Sequence, residues 1–474
     1  MNYQTVIGLE IHAEMLTQSK VFCTCSAEFG GKENSRVCPR CAGLPGTLPV
    51  FNQAAAKLAV RAGLALGCEI NRYSAFDRKN YFYPDLPKAY QITQFDSPIC
   101  TNGKVDIGSK VVRINRIHIE EDAGKLVHDD HEGVSMADYN RCGVPLIEIV
   151  TEPDLTCAED ARALVEEIAI RLKYAGVCDA RMEQGSLRCD VNISLMPEGA
   201  TEFGTRTEIK NLNSLRSIVR AIEYERARQA ALLDRGERVI QQTLHFNDND
   251  GTTKALRSKE EAHDYRYFPE PDIPPVQLSE ADVACIRAEM PEMPQVRFAR
   301  YTEQYGLPAA DAKLLIADKA LSDFYNEAVA VYPAYKPISN MILVELLRRL
   351  NDSGTEVTAL KFTAAELARL VKLSDDGTIS KNAAKEILRE LFEHGGEAEK
   401  IAKENGYIMD TDTDAVDAAV EEILAQNPKA VAEFKEGSDK VFGFLMGQMC
   451  RKLGKSANPQ IIRRQLTQKL NTLR

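Results

Sequence analysis

The chain predicts an α+β domain followed by two all-helical modules, and three observations carry that expectation. Up to about residue 270 it holds short segments in which polar and apolar residues alternate, punctuated by glycine, and a period of two is the mark of half-buried strands. A proline-dense passage follows, with Pro269, Pro271, Pro274, Pro275, Pro291 and Pro294, a density that continues neither a sheet nor a helix. Beyond it the apolar residues recur at helical spacing, as in 365–371 and 382–392. The expected division is 1–293 for the α+β domain, 294–405 for a helical domain and 406–474 for a C-terminal helical module. The last boundary rests on the breaks at Gly395-Gly396 and Asn405-Gly406.

Taken in order, Val6-Ile7-Gly8-Leu9-Glu10-Ile11-His12 reads as a strand with its polar residues on one face. Helical apolar spacing marks 53–66, 158–174 and 214–233, and alternation returns in 110–119 and in Arg188-Cys189-Asp190-Val191-Asn192-Ile193-Ser194. The strand-like segments share an unusual content of acids: Glu10 with His12, Glu120-Glu121-Asp122, Glu148, Asp190 with Asn192, and Glu208 with Lys210. A single segment of this kind is ordinarily a strand with a solvated acidic side. Five of them imply a face that holds hard metal ions, because gathered like charges need cations or water to offset them.

Across its 474 residues the chain is 44% hydrophobic and 27% charged, the composition of a soluble globular protein too long for one core. It has no apolar run long enough to cross a bilayer, and its start lacks a basic region followed by an apolar one. A cytoplasmic location without membrane partners is expected. The formal charge of −11 argues against a protein that coats nucleic acid uniformly. Charge separates in the last module, however. Asp410, Asp412, Asp414 and Asp417 open it, whereas 440–474 carries Lys440, Arg451, Lys452, Lys455, Arg463, Arg464, Lys469 and Arg474 without an acid. This is either a footprint for phosphates or a solvated helix face. Ile461, Ile462, Leu466, Leu470 and Leu473 in the same stretch have the spacing of core residues.

Eight of the twelve cysteines are scattered, as expected of small reduced core residues. Cys23, Cys25, Cys38 and Cys41 instead form C-x-C-x12-C-x2-C, which lets four thiolates converge on one tetrahedral zinc ion. Reduced thiols or a redox pair are the alternatives. Four protein ligands leave no open position, so such an ion would hold the loop and do no chemistry.

Nucleotide-binding signatures of the common kinds are absent. Gly103 to Lys110 fails as a phosphate loop because Ser109 precedes Lys110 and a strand-like run follows, and no G-x-G-x-x-G opens a helix. Any use of ATP would run through metal-held phosphates. The segment 77–90 mixes cations, aromatics and two prolines, which suits a rigid loop at a site. There Lys79 and Lys88 would meet phosphate or developing negative charge, and Tyr81 and Tyr83 would pack under a base. The alternative is an aromatic-anchored structural loop.

Together, 6–12, the 77–90 loop, His118-Ile119-Glu120-Glu121-Asp122-Ala123-Gly124-Lys125, 145–154, 185–192, Thr207-Glu208-Ile209-Lys210-Asn211-Leu212-Asn213 and 264–272 resemble the B subunit of the tRNA-dependent glutamyl/aspartyl amidotransferases. The resemblance runs over essentially the whole chain and is closest to the three-subunit bacterial type. It implies a cradle-like catalytic domain with a mixed or antiparallel sheet and a zinc loop, followed by helical modules that grip tRNA. It further implies that ATP phosphorylates the Glu or Asp side chain on misacylated tRNA(Gln) or tRNA(Asn), and that ammonia then displaces the phosphate. The amidase, or A, subunit would supply the ammonia, and the small C subunit would complete the complex. By the same resemblance Glu10, His12, Glu121, Glu148, Asp190 and Glu208 would hold Mg²⁺, with Glu120, Glu152 and Asn192 around them. Lys79, Tyr81 and Lys210 would position phosphate or substrate, and the four cysteines would bind structural zinc. A non-catalytic tRNA-binding scaffold and a metal-dependent phosphohydrolase or nuclease are the rival expectations.

Overall fold

The computed structural model describes residues 2–129, 132–258, 264–409, 413–435, 440–453 and 459–472. They divide into two compact units, Met1–Pro294 and Gln295–Arg474.

The first unit is built on a nine-stranded sheet. Its central strand β1 (Tyr3–Glu14) alternates from Ile7 onward: Ile7, Leu9, Ile11 and Ala13 are buried, whereas Glu10, His12 and Glu14 are half-buried on the other face. In chain order come α1 (Gln53–Ala65), β2 (Glu69–Ile70), β3 (Tyr73–Ser74), β4 (Asp77–Asn80), β5 (Tyr90–Thr93), β6 (Cys100–Asp106) and β7 (Val111–Glu121). They are followed by β8 (Lys125–Asp129), β9 (Val134–Asp138), β10 (Pro145–Thr151), α2 (Ala158–Tyr174), β11 (Leu187–Pro197), β12 (Thr207–Leu212) and α3 (Leu215–Asp234). The unit ends with β13 (Gln242–Asn247), β14 (Thr252–Ser258), β15 (Phe268–Pro269), β16 (Val276–Gln277) and α4 (Glu280–Ala288).

The sheet order is β14-β13-β12-β11-β1-β10-β7-β6-β2. Every pairing in it is antiparallel except β12 with β13. One face is apolar and is covered by α1, α2 and α3, whose Ala59, Val60, Leu164, Ile168, Ile218 and Ile222 pack into one core with the inward residues of β1, β7, β10 and β11. Two of these helices start at capping side chains: Asn52 caps α1 by accepting from the Ala54 N–H, and Ser214 caps α3 by accepting from Ser217. With helices on one side only, the acidic residues of the strands fall on the other.

Two smaller pieces flank that second face. β15, β4 and β5 form a three-stranded antiparallel sheet. It is joined to β7 by Gln91, whose Nε2 donates to the Glu121 carbonyl at 2.7 Å, and by Gln94, whose Oε1 accepts from the Ile119 N–H at 2.9 Å. β8 and β9 form a separate two-stranded ribbon, strapped at its root by the cysteine loop. Asn34 there donates through its side chain to the Ala137 carbonyl, donates through its backbone to Asp138, and accepts from the Tyr139 N–H, all at 2.8–3.0 Å.

The second unit is helical and contains two separate cores. The first runs from Tyr301 to Ala402 and the second from Val416 to Leu470. Ile462, Leu466 and Leu470 are fully buried in the latter and Ile461 packs partly against it. The side chains of Asp414 and Lys440, and the residues Asp410, Asp412, Lys455, Leu473 and Arg474, lie outside the described ones. Among the described residues no helix is long and apolar enough to cross a membrane.

Candidate active site on the acidic sheet face

Cross-strand register assembles the site. His12 of β1 lies opposite Glu148 of β10, which lies opposite His118 of β7, so these three point to the same face in one row. Glu10 lies opposite Asp190 of β11, and Glu208 of β12 lies opposite Asn192. Two groups of donor atoms result, each with its atoms within 4.8 Å of one another: His12, Glu120 and Glu148 in one, and Glu10, Asp190 and Glu208 in the other.

In the first group, His12 Nε2 lies 3.3 Å from Glu148 and 3.7 Å from Glu120, and His118 Nε2 lies 3.5 Å and 3.7 Å from the same two carboxylates. Burial opposes charging of His118, but the charge of Glu148 and hydrogen bonds to Glu120 and Glu148 push its pKa up to about 9. Burial opposes charging of His12 too, but the hydrogen bond to Glu148 and the charges of Glu148, Glu120 and Asp190 together raise its pKa. Burial opposes ionisation of Glu148 as well, and the two imidazoles hold its pKa well below the usual range. His118 Nδ1 is buried with no hydrogen-bond partner. Lys79 adds a cation from β4: burial disfavours its charge, and Glu120, Tyr267, Glu148 and Tyr265 raise its pKa.

In the second group, Lys210 Nζ bridges Asp190 at 2.5 Å and Glu208 at 2.7 Å. The Thr243 hydroxyl donates to Glu208 at 2.8 Å, and Asn192 donates to Glu10 at 3.1 Å. Glu10 is raised first by burial and then by Glu148, Glu208 and Asp190. Carboxylates that raise one another's pKa in a partly dry cleft are a ready site for a hard divalent cation, and oxygen donors of this kind fit Mg²⁺. A cleft of about 570 Å³ opens beside Glu10 and Asn192, with Gly8, Ser194, Phe203 and Arg206 also in its lining.

The face therefore brings together Glu10, His12, Glu148, Asp190, Glu208, Lys79, Lys210, Glu120 and Asn192. Tyr81 stands beside them, its ring 5.6 Å from Tyr265. Glu121 does not join this group. Strand alternation in β7 turns His118 and Glu120 to the acidic face and Glu121 to the opposite one. There its buried carboxylate pairs with Lys88 and accepts from the Ile92 N–H at 2.9 Å. Lys88 is thereby spent on Glu121, and the cluster position expected of Glu121 falls to Glu120. Glu152 also stands apart, accepting from Asn115 at 2.7 Å. His118 was not singled out from sequence, although its place two residues before Glu120 carries the signal, and neither were Phe203 and Arg206.

On the other side of Glu121, Cys23, Cys25, Cys38 and Cys41 bring their sulfurs together, with Cys38 Sγ and Cys41 Sγ 3.8 Å apart. The hydrogen bond from Cys23, aided by the Cys38 N–H and the charge of Lys20, pulls the Cys41 thiol down to about 4 against burial. Lys20 is fully buried and donates to Cys41 Sγ at 3.7 Å and to the Tyr139 carbonyl at 3.1 Å. A buried ammonium on a thiolate matches the charge that four cysteinates place around zinc. All twelve cysteines are free of disulfides.

Residues 5–284 match the family described as the GatB/GatE catalytic domain, and 323–470 match the family described as the GatB domain. Curated relatives resemble the chain from end to end. The B subunit of the aspartyl/glutamyl-tRNA(Asn/Gln) amidotransferase of Ruminiclostridium cellulolyticum is 53% identical over 100% of this chain and 99% of its own length. Proteins of the same name from Caldicellulosiruptor bescii and Myxococcus xanthus are each 49% identical, covering 100% and 99% of this chain and 100% and 99% of their own lengths.

Proposed function

Because the chain belongs to the B-subunit family of the aspartyl/glutamyl-tRNA(Asn/Gln) amidotransferases, we propose that its acidic sheet face is where the side-chain carboxylate of a misacylated tRNA is activated and amidated. The chain is part of a tRNA-dependent amidotransferase, a carbon–nitrogen ligase. The observation that carries the finer reading is the pair of donor groups on one rigid face, one beside an open cleft and the other beside Lys79.

The cleft next to Glu10 has the volume of a small-molecule site, and ATP would place its polyphosphate toward Glu10, Asp190 and Glu208. Mg²⁺ held by these residues, and by His12, Glu120 and Glu148, would neutralise phosphate oxygens. The side-chain carboxylate of the aminoacyl group attacks the γ-phosphorus, the bond to the β–γ bridging oxygen breaks and ADP leaves. Ammonia, released from glutamine by the partner amidase, then attacks the acyl carbon. The carbon–oxygen bond to phosphate breaks, inorganic phosphate leaves, and the nitrogen loses a proton to give the amide. Lys79 and Lys210 would hold the anionic reactants in place, and their fixed positions provide orientation at no cost in reorganisation.

Zinc in the four-cysteine loop would be structural, and the helical parts, 294–405 and 406–474, would bind tRNA. A small third subunit would complete the assembly. Glu10→Gln and Asp190→Asn, introduced into the purified complex, should reduce tRNA-dependent ADP formation to background while leaving charged-tRNA binding and thermal melting near wild type. Wild-type rates of ADP and amide formation in these variants would refute the assignment. Cleaved tRNA would favour a nuclease, and binding without ADP formation in the wild-type complex would favour a scaffold.

A further inference from the structure

Around Lys79 the small sheet of β15, β4 and β5 and its adjoining segments form an aromatic wall that no part of the phosphoryl-transfer reading uses. Phe95 and Tyr267 stack with ring centroids 4.2 Å apart at 15°. Tyr265 stands edge-on to both Tyr267 and Tyr81, at 6.1 and 5.6 Å. Lys79 Nζ lies over the Tyr265 ring at 4.8 Å. This wall is open: Phe95 is 51% exposed although one of its faces is covered by Tyr267. Arg266, in the same segment, is exposed.

The wall also abuts the acidic face. Thr93, at the end of β5 and two residues before Phe95, brings its hydroxyl 3.5 Å from Glu120. Glu120 and Glu148 in turn act on both Lys79 and Tyr267. An open aromatic stack interleaved with cations is the chemistry that binds unpaired nucleotides, since every base presents a π-face and the cations meet phosphate.

We propose that Phe95 and Tyr267 form the platform on which the unpaired 3′-terminal adenine of the charged tRNA stacks, setting the aminoacyl group beside Lys79 and the His12–Glu120–Glu148 group. This rests on the reading of the acidic face given above. Two adenines enter that reaction, and the geometry separates them. The cleft beside Glu10, with Phe203 and Arg206, lies at the Glu10–Asp190–Glu208 group, whereas Tyr267 of the stack feels the charges of Glu148 and Glu120, members of the other group. A platform at the second group orients the carboxylate to be activated and leaves the first to the nucleotide.

The test uses the whole amidotransferase complex and an acceptor-stem RNA hairpin whose 3′-terminal adenine is replaced by 2-aminopurine, a base whose fluorescence falls on stacking. Binding should quench the fluorescence, and saturating ATP should leave the quench in place. Phe95→Leu and Tyr267→Leu should each abolish it, whereas Phe95→Trp should keep it. Phe95→Leu should also raise the Michaelis constant for charged tRNA roughly tenfold with the constant for ATP unchanged. A quench that survives both leucine variants, or that ATP displaces, overturns the proposal, the second outcome assigning the stack to ATP. A wild-type complex that makes ADP and amide without quenching the base overturns this inference alone. A wild-type complex that forms no ADP with charged tRNA removes the functional reading and the platform together.

Discussion

At the scale of single residues, a step of one position along β7 decides the chemistry. Glu120 and Glu121 are adjacent and identical in type, yet they serve opposite faces, because successive strand side chains point in opposite directions. Composition alone marks both as acids, and only the phase of the alternation separates them. That phase was legible: His118, Glu120 and Asp122 share a parity, and Ile117 and Ile119 share the one that enters the apolar core. The partners were not, since nothing near Glu121 in sequence announces Lys88, 33 residues earlier. Two substitutions test the distinction. Glu120→Gln should weaken divalent-cation binding by at least about tenfold, measured by Mn²⁺ titration, because an outright donor is lost. Glu121→Gln should leave cation binding near wild type but cost about 3 kcal/mol of stability in denaturant melts, because it strands the buried Lys88 ammonium. Equal loss of cation affinity in both variants would show that the two faces are not independent.

At the scale of elements, helices and long strands were read from periodicity, and α1, α2 and α3 begin and end within a residue or two of their apolar patterns. Short pieces escaped, because two residues of strand carry no period. The pairing of β15 with β4 unites Phe268 with Arg78 across about 190 positions, and Arg78 is fastened there by the buried Glu270 at 2.7 Å. The cysteine spacing was visible as a ligand pattern, but its mechanical consequence was not. The loop straps the β8–β9 ribbon through Asn34, and an isolated two-stranded ribbon has little stability of its own. Cys38→Ser should therefore do more than release about one zinc per chain. It should speed hydrogen exchange of amides in Lys125–Asp129 and Val134–Asp138 while the amides of α2 and α3 keep their protection. Zinc loss with no change in ribbon exchange would mean that the strap holds without the metal, and absence of zinc from the intact protein would remove the structural-zinc reading.

At the scale of the whole molecule, charge is the property that links the acidic chain to a polyanionic substrate. The net charge of −11 would repel tRNA if it were spread evenly. It is not: the acids that gather on the sheet face are offset by Lys79, Lys210 and the cations they would bind, and the C-terminal helices carry the excess of arginine and lysine. Part of that excess is spent internally, since Lys452 pairs with Glu422 and Lys469 pairs with Glu421 at 2.5 Å. Such ion pairs were not readable from the basic run, because their acids lie in an earlier helix, Thr413–Gln426. Arg451, Arg463 and Arg464 remain exposed on helices whose opposite faces bury Met449, Ile462, Leu466 and Leu470. These arginines, rather than the paired lysines, should meet phosphate. Replacing Arg463 and Arg464 together by Gln should weaken charged-tRNA binding and flatten its logarithmic salt dependence by about one unit for each phosphate no longer neutralised. Amidation at saturating tRNA should persist, because the activation site proposed above lies within Met1–Pro294. Replacing Lys452 and Lys469 by Gln should change the salt slope less. A larger loss of slope from the lysine pair than from the arginine pair would mean that the internal ion pairs open on binding and that the exposed arginines are a solvated face.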